Sequence, residues 1–309
     1  MPSTRRFSIR SPRFLASREA LPSGGLLRLS TAKQKDLPIV TNSFSQLSLI
    51  EPILRALPEV AGGTADAGVI TGDIEVSGLS FRYSEAGPPV LANVSLHIKS
   101  GEFVALVGPS GSGKSTLLRL LLGFEQPSTG SIFYDGQDLG SIDITAIRRQ
   151  IGVVLQNGQL LGGDIYSNIV GSSRLTIDDA REAVRACGLD ADLDGMPMGM
   201  HTVVPDGGGT LSGGQRQRLL IARAIVSKPR ILYFDEATSA LDNASQSIVT
   251  SSLAQLRATR IVVAHRLSTV IGADRIFVLD AGRLVQQGTF RELVEQPGLF
   301  RELATRQTV

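Results

Sequence analysis

The stretch that most restricts the fold is GPSGSGKST, residues 108–116, set between the strand-like FVALV and the helical LLRLLLG. Gly108, Gly113, Lys114 and Ser115 fill the fixed places of the pattern G-x-x-x-x-G-K-[ST]. Glycines at this spacing let the backbone curl so that successive N–H groups point inward, a geometry that suits phosphate oxygens. The helix that follows adds the positive end of its dipole. Lys114 can reach the terminal phosphates of a nucleoside triphosphate, and the Ser115 hydroxyl can take a place on Mg²⁺. A plain Gly/Ser surface loop is the bland alternative, and the strand-loop-helix setting argues against it. Taken alone, the loop specifies a nucleoside triphosphate and nothing further.

The surrounding pattern is α/β. From about residue 69 the chain opens with strand-like DIEVSGLSFRYSE and VLANVSLHIKSGEFVALVG. Helical segments then alternate with the short apolar runs SIFYD, IGVVLQ, RILYFDEA, TRIVVAH and RIFVLD. Runs this short, separated by amphipathic helices, predict a sheet covered on both faces. Residues 164–226 read as mostly helical, which predicts a second, helical subdomain inserted into that core. RIFVLDAGRLVQQGT predicts a hairpin turned at Ala281-Gly282, followed by two short helices.

Three further strand ends carry chemistry. RILYFDEA closes on Asp235, placed to hold Mg²⁺, and on Glu236, placed to orient or deprotonate an attacking water. Asp-Glu after a strand is also a common helix cap, and only the phosphate loop elsewhere in the chain favours the catalytic reading. TRIVVAH ends on His265, at the edge where ligands bind in parallel sheets, within reach of a γ-phosphate. Gln156 ends IGVVLQ and can sense both Mg²⁺ and the water. His97 and His201 lack such a setting and read as structural or surface residues.

Totals exclude several classes. Hydrophobic residues make up 42% and charged residues 19% of the 309, a globular balance. Lys and Arg number 31 against 29 Asp and Glu, which gives no support for an electrostatic nucleic-acid binder. Cys187 is the single cysteine, so neither an internal disulfide nor a cysteine-rich zinc site is available; in its helical segment it reads as a small buried hydrophobe. No stretch approaches the roughly 18 to 20 consecutive apolar residues that cross a bilayer.

The N-terminal part differs. Residues 1–43 carry Arg5, Arg6, Arg10, Arg13, Arg18, Arg28, Lys33 and Lys35 against Glu19 and Asp36. The segment reads as an unfolded basic tail or as an organelle transit peptide. Residues 44–58 read as a short amphipathic helix interrupted at Pro52, and 61–68 as a Gly/Ala-rich linker; together 44–68 join the tail to a domain spanning 69–309.

Residues 211–215 read LSGGQ and lead into the helical RQRLLIARAIV. With Tyr83 in FRYSE, the phosphate loop, Gln156, ILYFDE, SALD (Ser239 to Asp242) and His265, all in this order, the chain resembles the ATP-binding-cassette (ABC) superfamily over about 69–309. The resemblance implies an α/β P-loop NTPase cassette: a mostly parallel RecA-like core, an antiparallel β subdomain and the inserted helical subdomain. It implies that Tyr83 stacks on adenine while Gly108, Ser110, Gly111, Ser112, Gly113, Lys114, Ser115 and Thr116 hold the phosphates. It places Mg²⁺ among Ser115, Gln156 and Asp235. It implies too that Ser212, Gly213, Gly214 and Gln215 act on the ATP of a second, head-to-tail cassette, with Ser239 and Asp242 linking the two sites.

AHRLSTV and the hairpin IFVLDAGRLVQQGT resemble exporters, and VLQNGQLLGGDIYSNIVG is similar to peptide or bacteriocin exporters of the NHLM type. Such a cassette is expected on the cytoplasmic face of a bacterial inner or plasma membrane, bound peripherally to transmembrane subunits, with no nucleic acid as partner. TVVPDGGGT stands where exporters have T-E-V-G-E-R-G, which puts the contact to the membrane domain in question. Exporters of this type carry six membrane helices on the same chain, so the expectation is a fragment, a degraded gene or a chain that docks on separate membrane subunits. A soluble ABC ATPase acting on nucleic acid or ribosomes, and a non-transporting remnant, are the alternatives; the first usually shows long coiled coils or tandem cassettes, which this chain does not.

Overall fold

The computed structural model describes residues 65–235, 241–264 and 266–308. The basic tail, the expected helix at 44–58, and Glu236, Ser239 and His265 lie outside the described residues.

Two sheets form the α/β half that contains the glycine loop. β1 (Ile74–Phe81) pairs antiparallel with β2 (Leu91–Ile98) and with β4 (Thr129–Tyr134), and β4 pairs with the short β5 (Gln137–Asp138). Alternation explains this sheet: Ile74, Val76, Leu79 and Phe81 point inward from β1 while their neighbours face water. The second sheet runs in the order β12-β11-β3-β10-β9-β6. Its members are β3 (Phe103–Val107), β6 (Ile151–Val154), β9 (Ile231–Asp235), β10 (Thr259–Val263), β11 (Arg275–Asp280) and β12 (Arg283–Gly288). All pairings are parallel except that of β12 with β11, the hairpin expected from the sequence. Its turn uses positive φ at both Ala281 (42°) and Gly282 (78°), the backbone twist that tight hairpins favour. Every residue of β9 is buried, as expected for a strand covered on both faces.

Helices α1 (Lys114–Leu121) and α2 (Ile144–Arg148) belong to this half. Tyr134 and Tyr233 tie the two sheets together: their hydroxyls lie 2.8 Å apart, and the Tyr134 hydroxyl donates to the Leu121 carbonyl at 2.7 Å. Burial pushes both phenols above their ordinary range. Residues 65–68, the end of the stretch read as linker, are pinned to the core. Ala65 bridges to Ile142, and Gln137 and Gln150 donate to the Ala67 and Gly68 carbonyls at 3.2 and 2.7 Å.

The helical lobe follows β6. It contains the two-stranded pair β7 (Gly163–Asp164) and β8 (Val203–Val204), with α3 (Ile165–Val170), α4 (Ile177–Ala186), α5 (Asp190–Asp194) and α6 (Gly213–Ile225). Ile165, Ile169, Val184, Leu193, Leu219 and Ala222 belong to an apolar cluster that also takes in Val154 of β6 and Leu232 and Phe234 of β9. Cys187 is fully buried in it, and burial pushes the thiol up to about 12, so it serves as packing. Helices α7 (Asn243–Gln255), α8 (Leu267–Val270), α9 (Phe290–Glu295) and α10 (Leu299–Thr308) complete the described chain. Among the described residues no helix is long and apolar enough to cross a membrane.

Candidate nucleotide-binding site

The parallel sheet lines up its chemistry along one edge. Val263 of β10 stands opposite Leu106 of β3 on one side and Asp235 of β9 on the other, and Val154 of β6 stands opposite Phe234. The C-terminal ends of β3, β10, β9 and β6 therefore finish level with one another. The phosphate loop, the segment after β10, Asp235 and the turn bearing Gln156 emerge at the same edge, where ligands bind in open parallel sheets.

Backbone geometry shapes the phosphate loop. Gly108 has φ 151°, and a Cβ built there would lie 2.0 Å from the Leu279 carbonyl oxygen, so no side chain fits. Gly113 caps α1 with φ 100° and without a side-chain hydrogen bond, so the first N–H groups of the helix have no side-chain cap. Ser110, Gly111 and Ser115 face solvent, while Ser112, Lys114 and Thr116 are buried. The Lys114 ammonium donates to the carbonyls of Gly108 (2.9 Å) and Pro109 (2.8 Å) and to the Ser112 hydroxyl (3.3 Å). These contacts hold its charge over the loop that a triphosphate would enter.

Ser115 Oγ lies 3.5 Å from Asp235 Oδ2, so the start of α1 meets the tip of β9. One hydroxyl and one carboxylate are hard oxygen donors, the kind Mg²⁺ takes while keeping waters and substrate oxygens for its remaining positions. Asp235 is itself buried. Gln156 stands differently from the sequence reading. β6 ends at Val154, and Gln156 sits two residues on, exposed in a turn. Tyr83, 59% exposed, packs its ring edge-on to Phe81 at 4.8 Å, and its hydroxyl lies 3.3 Å from Thr116 Oγ1, which sets an open aromatic face beside the loop. A cavity of about 230 Å³ runs beside the loop, between Gly108, Pro109 and Ser110, the residues Ala264 and Arg266 after β10, and Phe300 of α10.

The LSGGQ segment is built from side chains. Ser212 caps α6: its hydroxyl accepts from the Gln215 N–H at 3.2 Å, and its own N–H donates to Gln215 Oε1 at 2.9 Å. Gln215 Nε2 in turn donates to Asp192 at 2.7 Å. Ser212 and Gly213 are exposed, and a Cβ on Gly213 would meet nothing within 4 Å. Asp242 caps α7, accepting from the N–H and the hydroxyl of Ser245, each at 2.9 Å, and these bonds hold its carboxyl below the ordinary value. His97 and His201 sit at the surface, each 2.9 Å from a carboxylate, Asp73 and Asp164 respectively.

Several positioning residues escaped the sequence reading. Arg223 donates to the Asn168 carbonyl and to its Oδ1, both at 2.6 Å, and to the Gln159 carbonyl at 3.2 Å. Buried Asn168 also holds both the N–H and the carbonyl of Leu161, at 3.0 and 2.8 Å. The segment after Gln156 is thereby tied to α6. Burial lowers the Arg223 guanidinium from its ordinary value. One signal was available: Arg223 lies four residues after Leu219, on the same helix row, and a cation on an apolar row needs partners. In the departing segment TVVPDGGGT, Asp206 accepts from the Gly162 N–H at 2.6 Å and the Gly207 N–H donates to Leu160 at 2.9 Å, which fastens it to the same loop.

Comparison with known proteins agrees with this geometry. Residues 91–239 match the family model described as "ABC transporter". The chain is 47% identical over 230 residues to an alpha-hemolysin translocation ATP-binding protein HlyB of Escherichia coli O157:H7, covering 74% of this chain and 33% of that protein. It is 44% identical over 238 residues to an ATP-dependent lipid A-core flippase of Ralstonia nicotianae, covering 75% of this chain and 40% of the flippase. A solved structure of a bacterial Atm1-family ABC exporter with ATP bound superposes with a TM-score of 0.77 at 32% identity, over 88% of this chain and 49% of that one. The chain thus spans 33 to 40% of the length of these two curated relatives. The ordered motifs, the level strand ends and these matches agree that the chain carries the ATP-binding domain of the ABC transporter family.

Proposed function

We propose that this domain hydrolyses ATP, with Mg²⁺, as one of two cassettes whose turnover drives export across a membrane. The observation that carries the reading is the meeting of Ser115 and Asp235 at 3.5 Å, directly beside a glycine loop that holds a buried lysine. Lys114 exchanges its loop carbonyls for phosphate oxygens, Tyr83 offers its face to the base, and the loop N–H groups hold the phosphates. Ser115, Asp235 and Gln156 would hold the metal, which supplies charge neutralisation on the β- and γ-oxygens. Glu236 follows Asp235 directly and orients the attacking water; His265 follows the end of β10 and stabilises the γ-phosphate. Ser212 to Gln215 close over the nucleotide of a second cassette, so the complete site needs two chains.

Export as the work done is supported by the printed roles of the relatives, toxin translocation and lipid A-core flipping. Transmembrane domains would then be the partner, with the cassette on the cytoplasmic face and a peptide or bacteriocin as the cargo class. Turnover of the purified chain, measured against its own concentration, tests the two-chain site: turnover per chain should rise with concentration, and a flat line refutes it. Glu236→Gln should reduce turnover at least a hundredfold while leaving ATP affinity within about twofold.

A further inference from the structure

We propose that Asp192 is a positioning residue that fixes the Ser212–Gln215 cap, and with it the place of the Ser212 hydroxyl, for contact with the phosphate of a neighbouring cassette; this rests on the two-chain reading above. The argument begins with what each group can donate. A carboxylate accepts only, so whichever end of the Gln215 amide meets Asp192 must be the NH₂ end. Gln215 Nε2 lies 2.7 Å from Asp192 Oδ1. The amide oxygen is thereby turned the other way, onto the Ser212 N–H at 2.9 Å. That completes the cap, in which the Gln215 N–H takes a lone pair of the Ser212 hydroxyl at 3.2 Å. With one lone pair taken by the Gln215 N–H, the hydroxyl proton is left for another acceptor, and Ser212 is exposed.

A second contact locks Asp192 itself. Its other oxygen accepts from Arg218 at 2.9 Å, and the same guanidinium also donates to the Gly188 carbonyl. Arg218 is only 13% exposed, so this pair is better shielded than the ion pairs of Arg119, Arg181, Lys228 and Arg291. Asp192 thus connects the short α5 turn to the LSGGQ tip through one amide whose orientation it dictates. Without it the Gln215 amide loses its second anchor and can swing away from the Ser212 N–H.

The experiment uses the full chain and its Asp192→Ala variant, with Asp192→Asn as a milder second change. Three quantities are read: affinity for a fluorescent ATP analogue at high dilution, turnover against chain concentration, and amide hydrogen exchange of Ser212. The role predicts analogue affinity within about twofold, because the chain's own phosphate loop is untouched. It predicts a roughly tenfold rise in the chain concentration for half-maximal turnover, the size expected for one charge-assisted hydrogen bond. Exchange at Ser212 should quicken while the amides of Leu219–Ile225 keep their protection, a local change that general loss of stability would not give. An unchanged half-maximal concentration in both variants overturns the role of Asp192 alone. Concentration-independent turnover in the unsubstituted chain overturns the two-chain reading, and this role with it.

Discussion

The phosphate loop and the LSGGQ tip both place serines and glycines at the start of a helix, yet they are made in opposite ways. The loop is built from backbone: Gly108 is forced by the Leu279 carbonyl, and Gly113 starts α1 with no side-chain cap. The tip is built from side chains, with Ser212, Gln215 and Asp192 linked in series. Gly108 has no room for a methyl group, whereas Gly213 has open space that none of the described residues fills. A glycine demanded by its own fold and a glycine facing emptiness have different causes. The first keeps the chain's own atoms apart; on the proposed two-chain reading, the second leaves room for a neighbour.

Three substitutions can break or sharpen that contrast. The largest effect belongs to Gly108→Ala, which should lower stability by about 3 kcal/mol and abolish ATP binding, as read by denaturant unfolding and analogue titration. A stable, nucleotide-binding variant would mean that the loop is less constrained than its contact with Leu279 implies. Next comes Asn168→Ala, which strips buried partners from Leu161 and Arg223 and should cost about 2 kcal/mol. ATP affinity should survive it, because the loss falls in the helical lobe, while turnover falls with the displaced α6. Smallest in stability is Gly213→Ala, expected within about 0.5 kcal/mol of the unsubstituted chain. Its turnover should nevertheless drop about tenfold or more, because the added methyl occupies space kept for the neighbour. Full turnover in Gly213→Ala would erase the distinction between the two glycines.

How much of this was legible beforehand follows the same division. The phosphate loop, the buried strands and the hairpin at Ala281-Gly282 could be read because each is a local pattern: spacing, short apolar runs, or a turn that demands positive φ. The Asp235 contact with Ser115 joins residues far apart in the chain, and only the order of motifs hinted at it. Asn168 and Asp192 were not legible, and Arg223 only as a cation on an apolar helix row, since their importance lies in what tertiary packing brings against them. The end of β6 was misjudged for a simpler reason. Leu155 continues the apolar run, so the sequence does not mark the point where pairing stops at Val154 and Gln156 passes into a turn. Glu236 and His265 of the proposed catalytic set, and Ser239 of the segment read as linking the two sites, rest on the sequence alone.

The two tyrosine hydroxyls beneath α1 have a consequence for motion. Tyr134 gives its proton to Leu121 at the far end of α1, so Tyr233 must give its own to Tyr134, and the chain of protons runs in one direction. Tyr233 stands two residues before Asp235 on β9, while Ser115 lies near the start of the helix whose end Tyr134 grips. The helix is thus anchored to the same strand at both extremities, like a beam on two supports. The 3.5 Å between Ser115 and Asp235 is thereby set by two supports on one strand, so a change at either tyrosine should be felt at the opposite end of the helix.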